Sequence, residues 1–232
     1  MKENYFWSPH IDPQVATLRS VSNTLNFLSK YEKKSKNFLI NVFGEWDDYN
    51  SKSVEKIDLT NNKFLKQKKF KGFFHSRLLY FLIFFFSYFP LKRILNNDKP
   101  NYLIVHLITS VPLLMFIMNK FETRLILRVS GYPKLNFLRF FLWKFAANKI
   151  RYVICPTQET KSLLLKKKIF VESQLIFIPD PILNVKKINI MKREKLEKKF
   201  IEPFFLAVGR FTKQKNHIFL LNFFSKNSHY LE

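Results

Sequence analysis

Residues 102–129 read YLIVHLITSVPLLMFIMNKFETRLILRV, and the order of patterns inside this stretch decides the fold. Tyr102 to His106 is a near-continuous apolar run of strand length. Thr109 and Ser110 can cap a helix over residues 111–119, and residues 124–129 form a second apolar run. Short apolar runs without polar alternation suit strands covered on both faces, as in a parallel sheet.

The same alternation extends outward in both directions. Tyr5-Phe6-Trp7 reads as a short strand, followed by a turn-forming loop in which Asp12 can cap and Pro13 suits the first position of a helix running to about Lys30. Residues 37–43 read as a strand closed by Gly44. Residues 45–71 are charged and weakly patterned, so irregular structure with one short strand is expected, with Val54, Ile57, Leu59 and Phe64 as its inward candidates. A helix over residues 73–96 ends before Lys99-Pro100. Beyond residue 129 come a helix over 136–148, a strand over 152–155 stopped by Pro156, a helix from Thr157 to Lys168 and a strand over 175–178 stopped by Pro179. The pattern predicts an α/β, Rossmann-like, doubly wound parallel sheet with helices on both faces and ligands at the strands' carboxyl ends.

Residues 1–183 are expected to form this first domain and residues 184–203, rich in Lys, Asn and Glu, a linker. Residues 204–232 would start a second α/β domain, although about thirty residues fall below the ~50 of a self-standing domain. Their reading is a strand over 204–208, a turn at Gly209 and a helix from Asn216. That layout sets Arg210 and Lys215 near a helix amino terminus, where free N–H groups and the helix dipole favour a diphosphate. An ordinary turn with a solvated lysine is the alternative.

Composition narrows the function classes. A chain of 232 residues with 47% hydrophobic content can bury a real core. Its net charge of +23 invites nucleic acid, anionic lipid or a phosphorylated ligand. Lys is accompanied by abundant Phe, Asn and Ile, so only part of the basicity counts as functional. A nucleic-acid binder needs exposed aromatics interleaved with basic residues, whereas these aromatics fall mostly inside element cores, so nucleic acid is not expected as partner. The single cysteine, Cys155, excludes an internal disulfide and a cysteine-based zinc cluster and reads as a small buried hydrophobe. No secretory signal opens the chain, and a cytosolic setting is expected. No carboxylate cluster suggests a metal, and no cofactor is implied. The apolar residues 78–89 fall short of the ~18 needed for a span. They allow a helix of the globular core, a membrane-surface helix flanked by Lys92 and Arg93, or, with extension, a span.

Three stretches together resemble glycosyltransferase family 4, retaining nucleotide-sugar transferases with two facing Rossmann-like domains, the GT-B fold. They are Leu125-Ile126-Leu127-Arg128-Val129-Ser130-Gly131-Tyr132-Pro133, then Ile154-Cys155-Pro156-Thr157 leading to Ile176-Phe177-Ile178-Pro179-Asp180-Pro181, and Ala207-Val208-Gly209-Arg210 leading to Lys215-Asn216. The stretches Phe6-Trp7-Ser8-Pro9-His10-Ile11-Asp12-Pro13 and Val105-His106-Leu107-Ile108-Thr109-Ser110 resemble members that build surface polysaccharides. The resemblance implies sugar transfer from a nucleoside-diphosphate sugar to a hydroxyl of a glycan or lipid-linked acceptor, and the apolar surface of residues 73–89 with the lysine excess suggests work at the inner face of a membrane. It assigns the donor diphosphate to Gly209, Arg210 and Lys215. His106 would act at the reacting sugar, and His10 and Arg128 would contact substrate. No metal or cofactor is required beyond the donor. Two departures stand out: no glycine precedes Gly44, and the family's pair of glutamates in the second domain has no counterpart. The chain is therefore expected to be truncated in its donor domain and inactive by itself, with an inactive remnant, or a basic protein that binds nucleic acid or an anionic membrane, as the alternative readings.

Overall fold

Every strand pairing in the sheet is parallel. The strands are β1 (Lys2–Trp7), β2 (Ser35–Asn41), β3 (Val54–Asp58), β4 (Tyr102–Val105), β5 (Arg124–Arg128), β6 (Ile150–Cys155) and β7 (Leu175–Phe177). They lie in the order β3-β2-β1-β4-β5-β6-β7, so the order reverses between β1 and β4. This is the computed structural model of the chain, described over residues 1–9, 16–60, 73–133, 135–194, 204–209, 211, 213 and 215–227. It divides into two units, Met1–Ile188 and Asn189–Glu232.

Helices α1 (Ala16–Tyr31), α2 (Phe73–Asn97), α3 (Ser110–Met118), α4 (Phe137–Ala146) and α5 (Gln158–Lys166) cover the sheet. Alternation along the strands sorts their side chains into two cores. Tyr5, Trp7, Ile40, Val105 and Leu127 join Leu91 and Leu95 of α2, Leu113 of α3, Trp143 of α4 and Leu164 of α5. Phe6 and Leu39 point the other way and pack with Val21 and Leu25 of α1 and with Trp46. Each such fully buried Leu or Phe contributes about 1.5–3 kcal/mol, which is why the register of so apolar a sheet is well determined.

Short polar side chains set several helix starts. The Asn136 side chain accepts from the Arg139 N–H at 3.0 Å, and Thr157 Oγ1 accepts from the Thr160 N–H at 3.1 Å. Thr109 stands at the start of α3 but makes no side-chain cap. The stretch expected as a linker opens with a further helix, α6 (Val185–Met191), whose first turn is held by the Asn184 side chain accepting from the Lys187 N–H at 3.1 Å.

Residues 204–208 are not in a strand, contrary to the sequence pattern. A strand draws its backbone hydrogen bonds from a neighbour, and among the described residues this unit has none to offer. The helix that follows is present as α7 (His217–Lys226). In the polar region after β2 the expected short strand is β3, and Val54 and Leu59 are buried. Phe64 and the predicted Asp12-Pro13 helix start lie outside the described residues.

Among the described residues no helix is long and apolar enough to cross a membrane, which removes the spanning reading of residues 78–89. Instead α2 carries two apolar stripes. Ile83, Leu91 and Leu95 face the core, while Leu78, Phe81, Phe85 and Phe89 are exposed.

Candidate functional site

The carboxyl end of β4 delivers His106 beside the reversal of strand order, where an open parallel sheet leaves a crevice. The His106 N–H donates to the Trp7 carbonyl at 2.9 Å, extending the β1–β4 ladder by one residue. Trp7 Nε1 then donates to the carbonyls of Leu107 and Ile108, both at 3.1 Å. Ile108 has φ 49°, a left-handed conformation that is unfavourable for a β-branched residue by roughly 1–3 kcal/mol. The indole of β1 thus clamps a strained turn at the site. That turn, the end of β5 with Ser130, and Leu142 and Trp143 of α4 line a cavity of about 670 Å³, to which α2 adds Tyr80.

Two buried polar side chains in this lining have no partner among the described residues. His106 is 3% exposed, and neither Nδ1 nor Nε2 is hydrogen-bonded. Its ring lies near Phe6, with centroids 6.3 Å apart. Burial, helped by the positive charge of Arg128, lowers its pKa to about 3. The imidazole is therefore neutral at physiological pH and offers one donor and one acceptor. Trp143, 4% exposed, has an indole N–H that is likewise unpartnered. Buried polar groups are nearly always satisfied, so both residues are exceptions, although their polar atoms have almost no accessible surface.

Arg128 ends β5 on the same lining, yet its charge is already matched. Its Nε and Nη2 donate to Asp180 Oδ1 at 2.9 and 2.7 Å, and Nη2 also reaches the Pro179 carbonyl at 3.2 Å. The loop carrying Asp180 is tied in turn to α1, through Asn23 Nδ2 donating to the Pro181 carbonyl at 2.6 Å. Arg128 therefore joins β5 to the loop after β7, and what it adds to the cavity is a positive field.

In the second unit, Gly209 and Lys215 are brought together. A Cβ on Gly209 would stand 3.1 Å from Lys215 Cγ and 3.2 Å from Cδ, so the absence of a side chain there lets the lysine stem cross the turn. Asn216, with φ 47°, turns the chain into α7 directly after Lys215. His10 and Arg210 lie outside the described residues. Among the described residues there is no cluster of His, Cys, Asp or Glu that could hold a metal ion. Cys155 is buried, and burial pushes its thiol up to about 11, a structural rather than nucleophilic state.

Sequence reasoning missed Trp143 in the cavity lining, Asp180 as the partner of Arg128, and, away from the cavity, the perturbed carboxylate of Glu45. Trp143 sits at an inward position of an amphipathic helix and reads as core; only the three-dimensional count of hydrogen bonds sets it apart. Asp180 carried a readable signal, an acidic residue between two prolines just past a strand, in a chain whose strand-end arginine needs a partner. Glu45 follows Gly44 and folds back so that its carboxylate accepts from the N–H groups of Val42 and Phe43. Burial outweighs those bonds and raises its pKa to about 7.

No family model matches the chain, and no curated protein matches it. Among solved structures, the chain is similar to UDP-GlcNAc 2-epimerase from Neisseria meningitidis bound to UDP-GlcNAc, with TM-score 0.53 and 14% identity over 83% of this chain and 50% of that one. The lipopolysaccharide outer core galactosyltransferase WaaB, in its apo form, gives TM-score 0.48 at 11% identity, over 76% of this chain and 44% of the other. HepE from Anabaena, in complex with UDP and glucose, gives 0.47 at 10%, over 78% and 44%. The chain spans about half the length of these proteins. Likeness at such identity speaks to the fold alone, and the last two scores carry no argument. The sheet order and the likeness to the epimerase together show a doubly wound, Rossmann-like α/β fold.

Proposed function

We propose that the chain is the acceptor-side part, with a piece of the donor side, of a retaining GT-B glycosyltransferase resembling family 4, acting in surface polysaccharide or lipopolysaccharide assembly. The observation that carries this reading is the cavity at the carboxyl ends of β4 and β5, lined by His106, Arg128 and Trp143. In this reading the bond from the anomeric carbon to the diphosphate oxygen breaks as that carbon bonds to an acceptor hydroxyl oxygen, and the hydroxyl proton passes to the departing diphosphate. His106, with its pKa near 3, is too weak a base to take that hydroxyl proton at neutral pH. Its part is to hydrogen-bond sugar hydroxyls. Negative charge grows on the departing diphosphate, and Arg210 and Lys215 stabilise charge that develops only in the transition state. Gly209 makes room for the Lys215 stem. The donor is a nucleotide sugar, and no further cofactor is invoked.

The same reading puts the protein at the inner face of a membrane. Leu78, Phe81, Phe85 and Phe89 form an exposed apolar stripe on α2, with Lys92 and Arg93 next along the helix.

The test is ligand-observed NMR of the chain, with its second unit held folded by further sequence or a partner chain, against a panel of nucleoside diphosphates and their sugars, repeated with Arg210→Ala and Lys215→Ala. Saturable binding that each substitution weakens about 10-fold is expected, the scale of a lost charge-assisted hydrogen bond. Where transfer is measurable, turnover should fall at least ~10²-fold. No binding of any nucleoside diphosphate, or binding indifferent to both substitutions, overturns the donor site.

A further inference from the structure

We propose that the amino-terminal edge of the sheet, at the opposite end of the strands from the cavity, binds a single-stranded nucleic acid. Its phosphates lie along a row of cations, and its bases lie against tyrosines at the strand starts. The proposal is independent of the transferase reading.

Parallel strands all begin at one edge, so the residues that open them are gathered there. In this chain those residues are strongly basic. Following the sheet order, Lys36 stands at the start of β2, Lys2 at β1, Lys99 before β4, Arg124 at β5, Arg151 at β6 and Lys168 before β7, and all six are exposed. Six strand starts at ~4.8 Å spacing make a row about 24 Å long, the reach of about four nucleotides and the short end of single-strand sites. Some carboxylates at this edge are already engaged. Asp98 accepts from Tyr5 Oη at 2.9 Å, Glu122 pairs with Lys99 Nζ at 2.6 Å, and Glu3, Glu32 and Glu55 are left to oppose the row. Among the described residues no carboxylate pairs with Lys36, Arg124, Arg151 or Lys168. At the other end, the described residues that leave β2 and β7 include Glu45, Asp47, Asp48 and Asp180. A polyanion is therefore drawn to the edge where the strands begin.

Charge alone fits any polyanion, and the aromatics choose among them. The sequence pattern argued against nucleic acid because the aromatics fall mostly inside element cores, yet three tyrosines stand at this edge with a cation against each ring. Lys30 Nζ lies 5.0 Å from the centre of the Tyr31 ring, Arg124 Cζ 5.9 Å from that of Tyr102, and Arg151 Cζ 5.1 Å from that of Tyr152. Tyr31 is 63% exposed, and Tyr102 and Tyr152 are half-buried. A base stacks on such a ring while its phosphate meets the adjoining cation, and a lipid headgroup has no flat face with which to do so.

The experiment follows the fluorescence anisotropy of a labelled oligothymidylate about a dozen nucleotides long, titrated with the full chain from ~50 to ~200 mM salt. An abasic strand of equal length and phosphatidylglycerol vesicles are the comparison probes. The logarithm of the binding constant should fall against that of salt with a slope of about −3, four phosphate contacts at about −0.7 each. Arg124→Gln with Arg151→Gln should make that slope shallower by about 1.4 and weaken binding at least ~10-fold. Tyr31→Ala should weaken the oligothymidylate about 10-fold and leave the abasic strand unchanged. Arg19→Gln with Lys187→Gln removes equal charge from the start of α1 and from beyond the loop after β7, and should change neither probe. All five substituted side chains are exposed, and thermal midpoints check the folding of each variant. No anisotropy change at low salt overturns the proposal, and so does equal weakening by the Arg19 and Lys187 pair, which would show net charge in place of a site. Equal affinity of the parent for the abasic strand overturns the role of the tyrosines. Vesicle binding lost in the Arg124 and Arg151 variant, with oligothymidylate binding unchanged, would make the edge a lipid surface and overturn the nucleic-acid assignment.

Discussion

His106 folds without its proton, and that has a measurable cost in acid. Its folded pKa of about 3 lies below the ordinary 6.5, so between those values the unfolded chain binds a proton that the folded chain refuses. The contribution is fully present above about 6.5 and is lost as pH falls toward 3. His106→Gln should therefore flatten the acid side of the stability profile, which denaturant midpoints of both proteins at pH 4.5 and 7.5 will read. An equal drop in both would place the imidazole in contact with water. Glu45 works with the opposite sign. Its folded pKa of about 7 exceeds the ordinary 4.5, so its contribution is present below about 4.5 and lost as pH rises through 7. Glu45→Gln should gain stability relative to the parent between pH 5 and pH 8, and no relative gain would show the backbone N–H bonds outweighing burial. At this scale the sequence placed His106 and Arg128 at strand ends, because a polar residue closing an apolar run stands out. Their electrostatic states were not legible, since these depend on Asp180 and on Phe6, distant along the chain.

Elements were legible where local pattern and tertiary role coincide. The β4, α3 and β5 segments agree with the reading of residues 102–129 because each is mostly apolar and largely buried. The reading of residues 204–208 failed because an apolar run specifies a strand only where another strand accepts its hydrogen bonds. Residues 78–89 were ambiguous for a physical reason: α2 is apolar on its inner and outer surfaces, and periodicity cannot separate a helix packed on one side from one packed on both. The outer stripe makes a prediction. Phe81→Asp with Phe85→Asp should abolish co-sedimentation with anionic vesicles at low salt, while the parent binds and is released as salt rises. A parent protein that stays in the supernatant at low salt would remove the membrane-surface role of α2. The contact that joins β5 to the loop after β7 predicts a stability effect. Asp180→Ala leaves the buried Arg128 unpaired and should cost about 3 kcal/mol in denaturant unfolding. Combining it with Arg128→Met should recover most of that loss. A small effect of Asp180→Ala alone would mean that water reaches Arg128.

At the scale of the molecule, stability is distributed unevenly between the two units. The first has a seven-stranded sheet with cores on both faces. In the second, Leu206, Val208, Phe211 and Ile218 are all exposed, at 76%, 82%, 93% and 72%. A helix of 10 residues such as α7 is marginal in water without an apolar face to bury, and side chains so exposed contribute little against the entropy of ordering the backbone. The Gly209 to Lys215 turn therefore rests on weak support, and a charge stabiliser misplaced by ~1 Å can already lose ~10²-fold in rate. The prediction is that amide hydrogens of α7 exchange within about tenfold of an unstructured peptide, while those of β1, β4 and β5 exchange only through global opening. Under the same conditions the chain by itself should give no measurable sugar transfer from any nucleotide sugar. A second partner chain or further sequence that buried Val208 and Phe211 should slow exchange in α7 and bring transfer with it. Protection in α7 equal to that in β4, or robust transfer by the chain alone, would show that the second unit is already held in place.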